Sequence, residues 1–140
     1  MPITNRENNS TYRNRLSKEI ILSIRTLMKQ AAPNDESRDV SAFIILALEE
    51  VNKTIDQATE AWEKRDYWIK ADKYRMEWAW MGACIKDLKD GLQEENWTII
   101  AQTAIKIGEK LNHIVVSENH RLGTPWIGAY EMFKQKIVNI

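Results

Sequence analysis

Apolar residues recur every three or four positions along most of this chain, the spacing that lines one face of an α-helix. The first row predicts an amphipathic helix over residues 11 to 31 that ends before Pro33, because a residue preceding proline is held extended. The second row predicts a helix that begins at Ser37 or Asp39. The two rows consist of Leu16, Ile20, Ile24 and Leu27, and of Ile44, Leu48, Val51, Ile55, Ala58 and Trp62.

A third apolar row runs from Tyr67 to Leu92 and is out of phase with the second, since position 65, near which the second row would continue, is arginine. The change of phase at residues 63 to 66 indicates either a tight turn between two helices or a stutter within one very long helix. We favour the turn, because helices usually have about 11 to 12 residues. Gly91 is interpreted as the C-terminal glycine of this third helix.

Two more helices are predicted after residue 92. Asn96 is a suitable N-cap for a fourth helix, and Thr124 followed by Pro125 is typical of the start of a short last one. The apolar row of the fourth helix consists of Trp97, Ile100, Ala104, Ile107, Leu111 and Ile114. No strand-like alternation appears. The prediction is therefore an all-α fold, a four-helix antiparallel bundle with an additional short C-terminal helix. Residues 1–10 are expected to form a disordered tail, and residues 11–140 a single domain.

Composition narrows the classes of function. Twenty basic and twenty acidic residues cancel, so no overall field favours nucleic acid or an anionic membrane. The single cysteine, Cys84, excludes an intrachain disulfide and a cysteine-based zinc site. The longest apolar run, residues 40 to 48, is about half of what a membrane span needs, and the N-terminus has no apolar leader. We expect a soluble cytoplasmic protein that does not contact a membrane.

The stretch YRMEWAWMGAC, residues 74 to 84, has a second apolar row opposite the core row of the predicted third helix. A helix that is apolar on two faces buries both, in the core or against another chain. Trp and Met are enriched at the centres of interfaces, so we predict a homodimer interface that includes Met76, Trp80, Cys84 and Trp68. A cofactor site would require polar groups converging on the aromatic rings, and the sequence shows none nearby. No cofactor is expected.

One alternative is contact with nucleic acid. The first helix has a basic face that includes Arg15, Lys18, Arg25 and Lys29, and such a face could neutralise several phosphates. The neutral overall charge and the lack of a recognisable binding motif weaken this hypothesis.

A second alternative is a divalent-metal-dependent hydrolase. Glu60, Glu63 and Asp66 follow one another at intervals of three residues, and Glu109 shares a helix face with His113. Carboxylates interleaved with lysine and arginine usually form a solvated face, so these residues are weak candidates and no metal site is assigned. No catalytic residue is assigned either. The sequence favours a non-enzymatic protein that binds a protein partner, as an adaptor, an assembly factor or a regulatory subunit, and that self-associates.

Overall fold

The computed structural model describes residues 8 to 138, with side chains to residue 137, so residues 1–7 of the predicted tail lie outside the described residues. The described part of the chain forms six α-helices and no strand, which confirms the all-α prediction. The helices are α1 (Asn9–Met28), α2 (Asp35–Lys64), α3 (Trp68–Glu77), α4 (Trp80–Glu94), α5 (Trp97–Lys110) and α6 (Ala129–Val138).

The four longest helices surround one hydrophobic core. Helix α1 packs on α2 and α5, and α4 packs on the same two helices, so each of the four has two neighbours among the others. Helices α3 and α6 both lie against α2. The antiparallel direction of the four core helices stays a prediction. The largest fully buried side chains include Ile20, Ile44, Leu48, Met81, Leu88, Ile100 and Ile107, which belong to the predicted rows.

Helix α1 begins two residues earlier than its apolar spacing predicts. The side chain of Asn8 accepts a hydrogen bond of 2.8 Å from the backbone N–H of Thr11, and the first turn starts at Asn9. The helix ends at Met28, three residues before the predicted end. Apolar periodicity does not show where a helix begins or ends, because capping hydrogen bonds and not core contacts determine its first and last residues.

Helix α2 also begins before the predicted position. Asn34 is its N-cap, and its side-chain oxygen accepts a hydrogen bond of 2.9 Å from the backbone N–H of Ser37. In return the Ser37 hydroxyl accepts a hydrogen bond of 3.1 Å from the Asn34 N–H, which completes a capping box. The helix therefore starts at Asp35 and not at Ser37 or Asp39.

The turn predicted between the second and third apolar rows is confirmed. Helix α2 ends at Lys64, and Asp66 has a φ of 64°, in the left-handed region that interrupts a helix. The chain then reverses, and α3 packs back against α2.

The apolar row from Tyr67 to Leu92 predicted one continuous third helix, but the structure divides this segment into two helices, α3 and α4. Trp78 donates its backbone hydrogen bond to the carbonyl of Arg75 (3.2 Å), and Ala79 donates to that of Met76 (3.4 Å). Both bonds span three residues instead of four, so the backbone tightens here and separates α3 from α4.

The interpretation of Gly91 as a helix C-terminus is wrong. Helix α4 continues to Glu94, and Glu95 takes the left-handed conformation with a φ of 53°. Gly91 is instead buried against α5, where a Cβ atom would lie 2.9 Å from Cγ1 of Ile100. The glycine permits a close approach of two helices. The prediction that Asn96 caps α5 is confirmed by the hydrogen bond of 3.2 Å that its side chain accepts.

Helix α6 begins at Ala129, four residues beyond Pro125, which the sequence marked as its first turn. Two backbone N–H groups at its N-terminus donate hydrogen bonds to a side chain of another helix. The carboxylate of Asp39 in α2 accepts hydrogen bonds from the N–H groups of Tyr130 (3.0 Å) and Gly128 (3.4 Å). This contact, between residues about 90 positions apart, fixes the start of α6 against α2.

Candidate functional site

Helix α3 exposes an unusual amount of apolar surface. Tyr67, just before the helix, is 51% exposed, and within it Trp68, Ile69 and Met76 are 55%, 75% and 77% exposed. We call these four residues the α3 face. In the helix itself, only Ala71 is fully buried. Scattered apolar residues are normal on protein surfaces, but clustered ones mark interaction sites.

Polar and aromatic contacts hold the other side of α3 on α2. Arg75 donates a hydrogen bond of 2.6 Å to the Glu63 carboxylate, and this bond lowers the pKa of Glu63 below its ordinary value. The Lys70 ammonium lies 4.5 Å from the ring centroid of Trp62, a cation–π contact. The Trp62 ring meets Tyr74 edge to face, with centroids 5.1 Å apart. These contacts hold α3 on α2, while the four residues of the α3 face stay more than half exposed.

The predicted interface residues do not share one surface. Met76 and Trp68 are exposed, as an interface requires. Trp80 is half-buried and stacks on Trp78, with ring centroids 6.0 Å apart. Cys84 is buried in the core, and burial raises the pKa of its thiol. The predicted row assumed one continuous helix, whereas Met76 lies in α3 and Cys84 lies in α4, on the two sides of the interruption.

Sequence reasoning did not select Tyr67 and Ile69 for the interface. Tyr67 was assigned to the core row, and Ile69 lies outside both apolar rows of the predicted helix. The signal that could have identified them is the apolar run Tyr67, Trp68, Ile69 directly after a charged turn. Three consecutive apolar residues cannot all face the core of one helix, since successive side chains are about 100° apart.

The basic residues of α1 differ in their surroundings. Arg15 forms a salt bridge of 3.2 Å with Glu19 on the same helix. The Arg25 guanidinium lies 3.4 Å from a backbone carbonyl in the segment after α5. Lys18 is half-buried, and Lys29, at the C-terminal cap, is exposed. Glu19 therefore partly offsets the charge of Arg15, whereas the contact with a neutral carbonyl leaves the charge of Arg25 in place.

The carboxylates considered for a metal are dispersed. Glu63 is paired with an arginine of α3, while Glu60 and Asp66 are exposed near the end of α2. Glu109 and His113 are exposed near the end of α5. Within residues 8 to 138, no group of three or more His, Cys, Asp or Glu side chains is placed to hold a metal ion.

Comparison of the chain with known protein families, with curated proteins and with solved structures gives no significant match. None of the helices in the described part of the chain has both the length and the apolar character to cross a lipid bilayer.

Proposed function

We propose that this protein is a small helical-bundle interaction protein, acting as an adaptor, an assembly factor or a regulatory subunit, and that it self-associates through the α3 face. In this proposal α1, α2, α4 and α5 form an antiparallel bundle, and α3 lies on the outside of the bundle. One buried thiol, Cys84, is consistent with a reducing compartment such as the cytoplasm.

The observation that carries the proposal is the exposure of the α3 face. Removing a large apolar side chain from water contributes about 1.5 to 3 kcal/mol, and Tyr67, Trp68, Ile69 and Met76 are each more than half exposed. In a two-fold symmetric dimer the same face is used twice, so two copies of each side chain that faces the partner would become buried. This gain is large enough to offset part of the cost of association.

Solution mass measured by light scattering tests the proposal. We expect the wild type to have twice the chain mass of 16.4 kDa. Ile69→Asp and Met76→Asp should each give a folded monomer with an unchanged circular dichroism spectrum, because both side chains are exposed. The matched control is Ile105→Asp, which places the same charge at an isoleucine of α5 that is 53% exposed. It should remain a dimer.

Two results would contradict self-association through this face. One is a wild type with a mass of 16.4 kDa up to the highest concentration that stays in solution. The other is a dimer that Ile69→Asp and Met76→Asp leave intact. Salt-sensitive binding to generic DNA, lost when Arg15, Lys18 and Arg25 are replaced, would favour the nucleic-acid hypothesis instead. A rise in melting temperature with magnesium or manganese would favour the metal-dependent one.

A further inference from the structure

A second surface feature is a cleft between the first half of α1, the end of α3 and the turn after α5. It is an open groove with a volume of about 400 Å³. Three segments that are far apart in the sequence meet there, so no local motif could have indicated it. The lining residues are Ser10, Thr11, Arg13, Asn14, Ser17, Tyr74, Trp78, His113 and Ile114.

One wall of this cleft is aromatic and carries a fixed cation. The Tyr74 and Trp78 rings meet edge to face, with centroids 6.5 Å apart. The Arg13 guanidinium lies 5.4 Å from the Tyr74 centroid, and its Nη1 donates a hydrogen bond of 3.0 Å to the Thr54 hydroxyl. These two contacts hold the guanidinium in place at the wall. Less side-chain freedom is then lost when it binds a ligand.

The remaining polar groups of the cleft favour a negatively charged ligand. None of its lining residues is an aspartate or a glutamate, although acids make up 20 of the 140 residues of the chain. His113 adds an imidazole, and Ser10 and Asn14 add a hydroxyl and an amide that can donate hydrogen bonds. A cation, neutral donors and no carboxylate form an environment that attracts anions.

We propose that this cleft binds a small planar aromatic molecule that carries one carboxylate or phosphate group. The ring packs beside the Tyr74–Trp78 pair, because Arg13 already covers one face of Tyr74 and Trp80 stacks on Trp78. The anion accepts hydrogen bonds from Arg13 and His113. Arginine is suited to both anions, because its planar guanidinium offers parallel N–H donors. Self-association through the α3 face uses other residues, so either proposal can fail without the other.

The test is an NMR titration of the ¹⁵N-labelled 140-residue chain with benzoate and with phenyl phosphate. We expect saturable shifts of the Trp78 indole N–H and of the Arg13 and His113 amides with one of the two, and the better probe identifies the anion. Benzyl alcohol has the ring without the charge, and inorganic phosphate has the charge without the ring. Neither control should saturate these signals. Shifts that are absent with both anionic probes, or equal with benzyl alcohol, would overturn the proposal.

Variants separate the cleft from the general charge of α1. Arg13→Gln should weaken binding of the better probe about tenfold or more, since it removes a charge-assisted hydrogen bond. Lys18→Gln removes one positive charge from the same helix outside the cleft and should leave binding unchanged. Because Arg13 also bonds Thr54, His113→Ala provides a second test at an exposed residue, with an expected loss of several-fold. Equal losses for Lys18→Gln, or no loss for His113→Ala, would contradict the proposed site.

Discussion

Replacing Gly91 by alanine tests the close contact between α4 and α5. A Cβ atom at this position would lie 2.9 Å from Cγ1 of Ile100 and 3.4 Å from the backbone oxygen of Asn96. Ile100 is fully buried, and its β-branched side chain has few alternative rotamers, so it cannot move aside freely. The two helices must separate slightly to accommodate the methyl group.

The expected loss follows from two opposing terms. Overpacking a tight core costs about 1 to 3 kcal/mol, whereas alanine is favoured over glycine within a helix by up to about 1 kcal/mol. Taking the middle of the overpacking range, about 2 kcal/mol, and subtracting a helix gain of up to about 1 kcal/mol, Gly91→Ala should lower the free energy of unfolding by about 1 to 2 kcal/mol. For a chain of this size the melting temperature should fall by about 3 to 6 °C.

Two other helical glycines provide matched controls. Gly82 in α4 and Gly108 in α5 have no atom within 4 Å of an added Cβ. The same substitution there should leave packing intact and stabilise the protein by up to about 1 kcal/mol. Urea unfolding of all three variants, followed by circular dichroism, measures the differences directly.

A double-mutant cycle isolates the contact itself. Ile100→Ala removes the atom that the new methyl group would meet, so Gly91→Ala should cost less in that background than in the wild type. A Gly91→Ala variant as stable as the wild type, or one whose cost is the same with and without the Ile100 side chain, would show that the two helices do not pack tightly at this glycine.

Three further predictions concern single contacts. Asp39→Asn should destabilise the docked α6 by about 1 kcal/mol, because one of the two oxygens that accept from the N–H groups of Tyr130 and Gly128 becomes an NH₂ donor, and hydrogen exchange of the Tyr130 amide should become faster. Glu63 has a lowered pKa through its bond to Arg75, so this bond stabilises the fold above the ordinary glutamate pKa, and the stabilisation is lost as the pH falls through the lowered value. Urea unfolding of Glu63→Gln should thus differ from wild type at pH 7 and converge with it in acid. The Cys84 thiol is buried with a raised pKa, so a disulfide reagent such as Ellman's should react with it slowly in the native protein and quickly in urea.

Apolar periodicity alone established the helical class and most of the core. The rows through Ile20, Leu48 and Ile100 are buried where the spacing placed them, because a residue every three or four positions must share a helix face. The turn after α2 could also be predicted, because the apolar rows before and after it are out of phase and cannot lie on one face of a straight helix.

The ends of the helices were less predictable because they depend on individual hydrogen bonds. Asn34 starts α2 ahead of the first periodic residue, and Asp39 caps α6 from a helix far away in the sequence. The role of Gly91 was also not predictable from the sequence. A glycine near a predicted helix end is also the residue that two closely packed helices require, and the sequence did not distinguish the two.

Which residues form the candidate sites depends on the tertiary structure. The sequence predicted an interface that includes Trp68 and Met76, which are exposed, but it also placed Cys84 there, and Cys84 is buried in the core. The cleft at Arg13 was not predicted at all. Side chains on one helix have a fixed spacing that a sequence displays, whereas side chains from three separate segments meet only once the helices are packed.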